Sequence, residues 1–241
     1  MPESVYGAAS KSAVRKDMWV RIPPAAPSLS SDRPQCRARP PDPISCIDER
    51  ALGPSYVYLL GLYLGDGSLS QAARDVWRLR ISMDSRYPGI IEECVRATRE
   101  VTGGRVGLVP RVGCHYISSY WKHWLCAFPQ HGPGPKHLRR IELEAWQRYL
   151  VEPHAAELVR GLVHSDGCRV INRVKRYEPP RVKHYEYPRY FFSNRSPELR
   201  NLFISACGSI GVEARPNNRC CISVARRDSV EILDRFIGPK R

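Results

Sequence analysis

LLGLYLGDG, residues 59–67, is an apolar run with helical character that leads into a carboxylate. Gly61 and Gly65 lie one helical turn apart in it, and Asp66 follows directly. Glycine inside a helix costs about 1 kcal/mol relative to alanine. Two glycines in one short helix therefore predict a close approach to another backbone, at a place where a larger side chain would not fit.

The same pattern recurs in VRGLVHSDG, residues 159–167, with Asp166 at the position of Asp66. Helices with small residues four apart can cross with their backbones in contact. We predict a crossing of the two helices at four small residues: Gly61, Gly65, Gly161 and Ser165. Such a crossing would bring both aspartates to one place at the ends of the helices.

Two carboxylates held together repel each other at neutral pH unless protons or cations intervene. Mg²⁺ is a hard ion that proteins commonly bind through one or two carboxylates together with substrate phosphate. Asp66 and Asp166 are therefore candidate metal ligands and catalytic residues, with Mg²⁺ or Mn²⁺ as the metal. A single helix that ends in Gly-Asp-Gly is ordinarily a helix cap and a turn. Two copies in register favour the metal site over that simpler interpretation.

The sequence that follows each helix also repeats. Residues 77–101, WRLRISMDSRYPGIIEECVRATREV, parallel residues 186–212, EYPRYFFSNRSPELRNLFISACGSIGV, with Pro88 matching Pro197. Each copy has the order helix, two strands, helix, two strands, short helix. We therefore predict an α+β fold made of two αββαββ repeats related by a pseudo-twofold axis.

The predicted organisation has four parts. Residues 1–53 contain stretches such as RIPPAAPSLSSDRPQ and RPPDP, where proline prevents regular helix or sheet. We predict that this leader is disordered. Residues 54–136 are the first repeat, residues 137–153 are a linker with a helix, and residues 154–241 are the second repeat.

The first predicted strand with a clear period of two begins at Trp77. Apolar residues alternate with Arg78, Arg80 and Ser82, which predicts a half-buried strand with a cationic outer face. The whole chain has a net charge of +14, most of it outside the leader. This balance favours a polyanionic partner, nucleic acid before membrane, since no membrane-anchoring signal accompanies it. A solvated basic surface without a partner also fits the charge alone.

The nine cysteines show no CxxC spacing, and no apolar run reaches transmembrane length. His123 with Cys126, and His164 with Cys168, have spacings seen in zinc sites, but two isolated pairs are ordinarily incidental. We therefore do not predict structural zinc. The absence of a signal peptide predicts a reducing cytoplasm. The excess of arginine over lysine indicates a GC-rich, bacterial genome, which together with the charge predicts association with the nucleoid.

The two motifs LLGLYLGDG and VRGLVHSDG resemble the paired signature helices of the LAGLIDADG homing endonucleases, in their single-chain, two-motif form. The resemblance covers about residues 54–241. It implies a monomer whose two antiparallel sheets form a saddle on double-stranded DNA, with the helices on the outer face. It also implies cleavage of both strands with divalent metal held by the last acid of each motif, here Asp66 and Asp166. The earlier acidic position of the motif, which varies in the family, is Leu64 in one copy and His164 in the other.

Other catalytic roles follow from the resemblance. A polar residue that closes the second strand and organises water corresponds to Ser85 and Asn194, of which Ser85 is a short substitute. A basic residue near the metals corresponds to Lys136 and Lys240, since each follows the same Gly-Pro in its repeat. Two surface-loop lysines would give the same pattern, and the sequence leaves that alternative open.

DNA contacts are expected from strand faces and hairpins. Residues 169–195 are rich in arginine, lysine and tyrosine, and this hairpin is longer than its counterpart in the first repeat. Most basic side chains would bind phosphate, and those on the groove-facing surface could contact guanine edges. The candidate DNA-binding residues are Arg78, Arg80, Ser82, Arg111, Arg169, Arg173, Lys175, Arg176, Arg181, Lys183, Arg189, Arg215, Arg226 and Arg227.

Three functions remain compatible with the sequence. The first is a site-specific, Mg²⁺-dependent double-strand DNA endonuclease. The second is a DNA-binding regulator on the same scaffold that does not cut. The third is a maturase that binds intron RNA. The retention of Asp66 and Asp166 favours the endonuclease.

Overall fold

The computed structural model describes residues 46–47, 51–179, 181–238 and 240. The prediction of a disordered leader over residues 1–53 therefore falls largely outside the described residues. Within the described part, each helix is too short or too polar to cross a membrane.

The first half contains three helices and four strands. They are α1 (Pro54–Asp66), β1 (Gly67–Gln71), β2 (Trp77–Asp84), α2 (Pro88–Thr102), β3 (Val106–Arg111), β4 (Cys114–Trp121) and α3 (Trp124–Ala127). A 3₁₀ turn at Lys136–Leu138 and a helix, α4 (Ala145–Val151), lie in the segment that joins the halves. The predicted linker helix is therefore present.

The second half repeats the order of the first. After a 3₁₀ turn at Glu152–His154, its elements are α5 (Ala155–Asp166), β5 (Gly167–Glu178), β6 (Arg181–Ser193), α6 (Pro197–Ser209), β7 (Arg215–Asn218), β8 (Cys221–Val224) and α7 (Arg227–Asp234). The strands form two antiparallel four-stranded sheets, in the orders β1-β2-β4-β3 and β5-β6-β8-β7. The predicted α+β class and the αββαββ order are confirmed.

Helix α1 is the central element of the core. Nine consecutive residues from Tyr56 to Leu64 are buried, because α5 and α2 both pack against this helix. A helix that is apolar on every side needs such complete burial. Helix α2, by contrast, buries one face only, begins with Pro88 in its first turn and ends at Gly103, whose φ of 63° suits glycine.

Strand β2 shows how the sheets are placed. Trp77, Leu79 and Ile81 are buried against the helices, while the alternating residues are partly exposed on the opposite face. Each sheet therefore has one face on the core and one face turned away from the helices. The predicted alternation along this strand is confirmed.

Residues 46–47 differ from the predicted disorder. The side chain of Ile47 is only 4% exposed and belongs to the hydrophobic core, and Cys46 packs against that core. The sequence of the proline-rich leader does not reveal this contact with the core, since one buried isoleucine produces no periodic pattern. The prediction of disorder is therefore wrong for these two residues.

Candidate active site and nucleic-acid face

Helices α1 and α5 cross at glycine. A Cβ atom added to Gly61 would lie 2.8 Å from the carbonyl oxygen of Leu158 and 2.9 Å from the Cα of Gly161. A Cβ atom at Gly161 would collide with the carbonyl oxygen of Tyr58. The crossing therefore requires the absence of side chains at these two positions.

The next turn brings the ends of the two helices together. The side chain of Ser165 occupies the space directly over Gly65 and donates back to the carbonyl oxygens of Gly161 and Leu162, at 3.1 and 3.0 Å. A Cβ atom at Gly65 would lie 3.1 Å from a carboxylate oxygen of Asp166. The carboxylate of α5 thus lies against the end of α1, where Asp66 is the next residue.

Both partly buried aspartates have raised pKa values. Burial, together with the negative charge of Asp166, raises the pKa of Asp66 to about 7. Burial also raises the pKa of Asp166. Such shifts occur where carboxylates are brought together without enough positive charge. The site therefore favours binding of a cation, since a cation would stabilise both ionised carboxylates.

Lys136 and Lys240 occupy equivalent places in the two repeats. The ammonium of Lys136 donates to the last carbonyl oxygens of α1, including those of Leu64 at 3.2 Å and Gly65 at 3.1 Å. The ammonium of Lys240 donates to the carbonyl oxygens of His164 at 2.8 Å and Ser165 at 3.4 Å, at the end of α5. Each lysine thus caps the negative end of one signature helix.

Both lysines also act on the aspartates electrostatically. Burial lowers the pKa of Lys136 to about 8 and lowers the pKa of Lys240. Their positive charges pull the pKa of Asp66 and of Asp166 downward, against the effect of burial. Their placement differs from that of surface-loop lysines, and a role in catalysis stays a prediction.

Asn194 and Ser85, which the resemblance made equivalent, differ in the structure. The side-chain amide of Asn194 donates to Asp166 at 2.7 Å and lowers the pKa of that carboxyl. Ser85 is exposed, and no hydrogen bond among the described residues joins it to Asp66. The two aspartates therefore have different neighbours, and the expected role of Ser85 lacks a contact that would support it.

A pocket of about 210 Å³ beside the first aspartate contains a carboxylate that the sequence interpretation missed. Its lining includes Asp66, Asp84, His164 and Lys240. Hydrogen bonds from Arg86 hold the pKa of Asp84 below its usual value, so this carboxylate is ionised at neutral pH. Asp84 continues the outer-face alternation of β2, and that period of two was the signal that could have identified it.

His164 stands at the earlier acidic position of the second motif. Its Nδ1 lies 2.9 Å from the hydroxyl of Tyr58, and its side chain is buried. Burial, followed by the charges of Arg160 and Lys240, lowers the pKa of His164 to about 3. The imidazole is therefore neutral at physiological pH and fills a helix-interface position without adding charge to the site.

The donor set fits a hard divalent metal. Carboxylate oxygens are ligands that Mg²⁺ and Mn²⁺ prefer. The nearby ammonium groups of Lys136 and Lys240 are hydrogen-bonded to helix-end carbonyls. The raised pKa of Asp66 indicates that their positive charge does not fully offset burial and the charge of Asp166. Asp66 and Asp166 would hold such a metal.

The first sheet presents a basic outer face. Arg78, Arg80 and Ser82 are partly exposed on the side of β2 that faces away from the helices. The guanidinium of Arg80 lies 5.2 Å from the ring centroid of Tyr116, and that of exposed Arg111 lies 5.8 Å from the same ring. Arg80 and Arg111 therefore share one cationic and aromatic surface with Tyr116, and a nucleic-acid contact there stays a prediction.

The long hairpin β5–β6 divides its basic residues between two faces. One face carries Arg176, Arg181, Lys183 and Arg189, as the register of the two strands requires. Arg173 and Lys175 alternate onto the other face, where Arg173 forms an exposed ion pair with Glu186 at 2.9 Å. A single duplex surface would therefore contact the first four residues more readily than the last two.

Arg169 is a correction to the predicted DNA surface. It lies on the helix side of β5 and makes two hydrogen bonds, of 2.7 and 2.8 Å, to the carboxylate of Asp234 in α7. The hydroxyl of Tyr190 donates to the same carboxylate at 2.6 Å. Arg169 is therefore committed to holding α7 against the second sheet, and its inclusion among the DNA contacts was wrong.

The remaining candidates surround the start of α7 and the last sheet. Arg226 bridges Glu213 and Asp228, while Arg215 also pairs with Glu213. Arg227 pairs with Glu231 at 2.9 Å, one helical turn away. All three arginines are exposed, so a DNA contact by any of them would compete with an acidic neighbour.

The architecture is the one seen in LAGLIDADG homing endonucleases. The crystal structure of I-DmoI in complex with DNA and Mn aligns with a TM-score of 0.52 at 13% identity, covering 79% of this chain and 99% of that chain. Mesophilic variants of the homing endonuclease I-DmoI align with a TM-score of 0.50 at 13% identity, covering 78% and 97%.

The N-terminal LAGLIDADG domain of DUF199/WhiA aligns with a TM-score of 0.47 at 13% identity, covering 81% of this chain and 87% of that chain. No protein-family model and no curated protein matches the sequence. The likeness to I-DmoI therefore establishes the fold, and the predicted resemblance is confirmed at that level.

Proposed function

We propose that this chain is a site-specific DNA endonuclease that cuts both strands of a duplex with a divalent metal. The observation that carries the proposal is the convergence of Asp66 and Asp166 at the ends of two crossing helices, with burial and mutual repulsion raising the pKa of Asp66 to about 7. I-DmoI, which has this fold, is described in complex with DNA and Mn. We propose Mg²⁺ or Mn²⁺ as the metal here.

In the proposed mechanism, Asp66 and Asp166 would hold the metal. The bound metal would act as a Lewis acid on the phosphate and would lower the pKa of attacking water. Asn194 orients the Asp166 carboxylate, while Lys136 and Lys240 hold the two helix ends in place. The pseudo-twofold pairing of aspartates within one chain supports cleavage of two strands by a monomer.

The partner in this proposal is double-stranded DNA, held by the outer faces of the two sheets. Arg78, Arg80 and Arg111 would contribute from the first sheet, and Arg176 and Arg189 from the second. Backbone phosphates supply most of the affinity in such complexes, and base edges supply specificity. A place in the bacterial cytoplasm, with the nucleoid, follows from this partner and is part of the proposal.

Cleavage of a plasmid library with randomised sites tests the function directly. With Mg²⁺ or Mn²⁺ we expect linear products enriched for one target, and none with EDTA or with the double variant Asp66→Asn, Asp166→Asn. Enrichment of bound but uncut plasmid in the presence of metal would indicate a DNA-binding regulator. Binding to structured RNA with no preference for duplex DNA would favour a maturase.

The salt dependence of DNA binding distinguishes the outer face from the helix face. Replacing Arg80 with alanine should reduce the slope of log K against log salt by about 0.9, because one phosphate contact is lost. Replacing Arg169 should leave that slope unchanged and lower Tm instead, because the Asp234 carboxylate loses both hydrogen bonds from Arg169. Fluorescence anisotropy over a salt series measures both variants. Equal slopes for Arg80→Ala and the wild type would remove the first sheet from the proposed interface.

Loss of Asn194 should make cleavage asymmetric between the strands. The Asn194→Ala variant lacks the hydrogen bond that lowers the pKa of Asp166, so this carboxylate is less ionised and holds metal less well. We expect nicked plasmid to accumulate, with one strand cut about 10-fold more slowly and with its rate shifted to higher pH. Asn201→Ala, on the exposed side of α6, is the control. Equal slowing of both strands would contradict separate roles for the two aspartates.

A further inference from the structure

We propose that Cys46, His123 and Cys126 form a zinc site that ties the chain before α1 to the end of the first sheet. The three side chains each offer one ligand atom, and these atoms all lie within 4.8 Å of one another. Tetrahedral zinc with bonds of about 2.0–2.3 Å places its ligand atoms about 3.3–3.8 Å apart. Small side-chain adjustments would therefore complete the geometry.

The donor types select the metal. Two cysteine sulfurs and one imidazole form a soft ligand set, which suits Zn²⁺ and is unlike the carboxylate oxygens of the proposed active site. Among the described residues, no fourth cysteine, histidine or carboxylate joins the group. Water would complete a four-coordinate shell.

Two of the ligands lie on a well-anchored part of the fold. His123 directly precedes α3 and Cys126 lies within it, three residues later and about one helical turn along. The intervening Trp124 is fully buried and donates from Nε1 to the carbonyl oxygen of Ser119 at 3.2 Å. The hydroxyl of Tyr56 donates to the carbonyl oxygen of Ala127 at 2.7 Å. The pair His123–Cys126 is therefore held in a fixed position.

The third ligand comes from a distant part of the sequence. Cys46 is next to Ile47, which is 4% exposed in the core, so the packing of this isoleucine fixes the position of the cysteine beside α3. Ordinary apolar packing does not require two thiols and an imidazole to meet. A metal explains why these three residue types converge from two segments.

The site lies apart from the proposed active site. Tyr56, which contacts α3, is in the first turn of α1, whereas Asp66 ends that helix, about 15 Å further along. A metal at Cys46, His123 and Cys126 would therefore stabilise the fold without touching the aspartates. The zinc site and the proposed nuclease activity can fail independently of each other.

Metal content of the full chain tests the proposal. Protein purified under reducing conditions from zinc-supplemented cells should contain about one zinc per chain by mass spectrometry. Cys46→Ser and Cys126→Ser should each lose most of this zinc. Cys220→Ser, in the turn between β7 and β8, is the matched control and should retain it.

Cobalt gives a spectroscopic readout of the ligands. Co²⁺ added to the metal-free protein should produce visible bands of a tetrahedral site and a near-ultraviolet band from thiolate-to-cobalt charge transfer. The charge-transfer band should fall by about half in either cysteine variant, since one of the two thiolates is lost. Bands of unchanged intensity in both variants would overturn the assignment.

Thermal unfolding in Mg²⁺-free buffer separates a structural metal from an adventitious one. A zinc chelator should lower Tm of the wild type by about 5–10 °C and should leave Tm of Cys46→Ser unchanged. Absence of zinc, or an equal response of both proteins to the chelator, would refute the proposal. A Cys46–Cys126 disulfide in the purified chain under reducing conditions, detected by intact mass, would also refute it.

Discussion

We expect double-strand cleavage to fall by about 1,000-fold or more when Asp66 is replaced by asparagine, while duplex binding should persist. This result is expected because the amide keeps the size of the side chain but removes the charge that would hold a divalent metal. The outer faces of the sheets, which carry the proposed DNA contacts, are unchanged by the substitution. Plasmid cleavage with Mg²⁺ and anisotropy with Ca²⁺ measure the two properties. Full cleavage by the double variant Asp66→Asn, Asp166→Asn would show that the chemistry is elsewhere.

The same substitution should stabilise the metal-free protein above neutral pH. The folded-state pKa of Asp66 is about 7, above the value of about 3.9 in an unfolded chain. The folded state therefore favours the neutral acid, and ionisation of this group opposes folding. Stability should rise as the pH falls from about 7 toward about 4 and then level off for this group.

Thermal unfolding in EDTA measures this effect. At about pH 8 we expect the free energy of unfolding of Asp66→Asn to exceed that of the wild type by about 1–3 kcal/mol. The difference should shrink at about pH 5. Glu92→Gln, on the exposed face of α2, controls for simple loss of a negative charge. Added Mg²⁺ should raise Tm of the wild type at about pH 8 more than that of the variant. A lower Tm for Asp66→Asn in EDTA would mean that the carboxylate makes favourable structural contacts.

Most of the fold can be predicted from the repeat pattern, because each repeat has strong local signals. Trp77, Leu79 and Ile81 alternate with arginine, and Pro88 and Pro197 begin helices at matching places. These signals depend on the spacing of neighbouring residues along the chain, and such spacing is visible in a sequence. The α+β class follows from these local signals alone.

The errors arose where long-range contacts decide the role of a side chain. Arg169 is one basic residue among many in its hairpin, and only the proximity of Asp234, in α7, removes it from the DNA face. Asp84, not Ser85, lines the pocket beside Asp66, because strand alternation directs every second side chain to that face. Cys46 lies in a proline-rich stretch, and its neighbours His123 and Cys126 are far along the chain.

Replacing glycine with alanine should change stability in opposite directions at two helical positions, Gly161 and Gly208, and this comparison tests the crossing of α1 and α5. Alanine at Gly161 would place its Cβ against the carbonyl oxygen of Tyr58 and 3.0 Å from the Cα of Gly61. Both contacts are backbone, so the helices can relieve them only by moving apart. We expect a loss of about 2–4 kcal/mol in the free energy of unfolding.

Gly208 in α6 is the matched control, because a Cβ atom there meets nothing within 4 Å. Alanine at this position should stabilise the protein by about 0.5–1 kcal/mol through its higher helix propensity. Urea unfolding of both variants measures the change in the free energy of unfolding, which should be a loss for Gly161→Ala and a gain for Gly208→Ala. If Gly161→Ala were as stable as Gly208→Ala, the helices would not be in backbone contact. The repulsion that raises the pKa of Asp66 would then lose its origin, because only a close crossing brings Asp166 near enough to produce it.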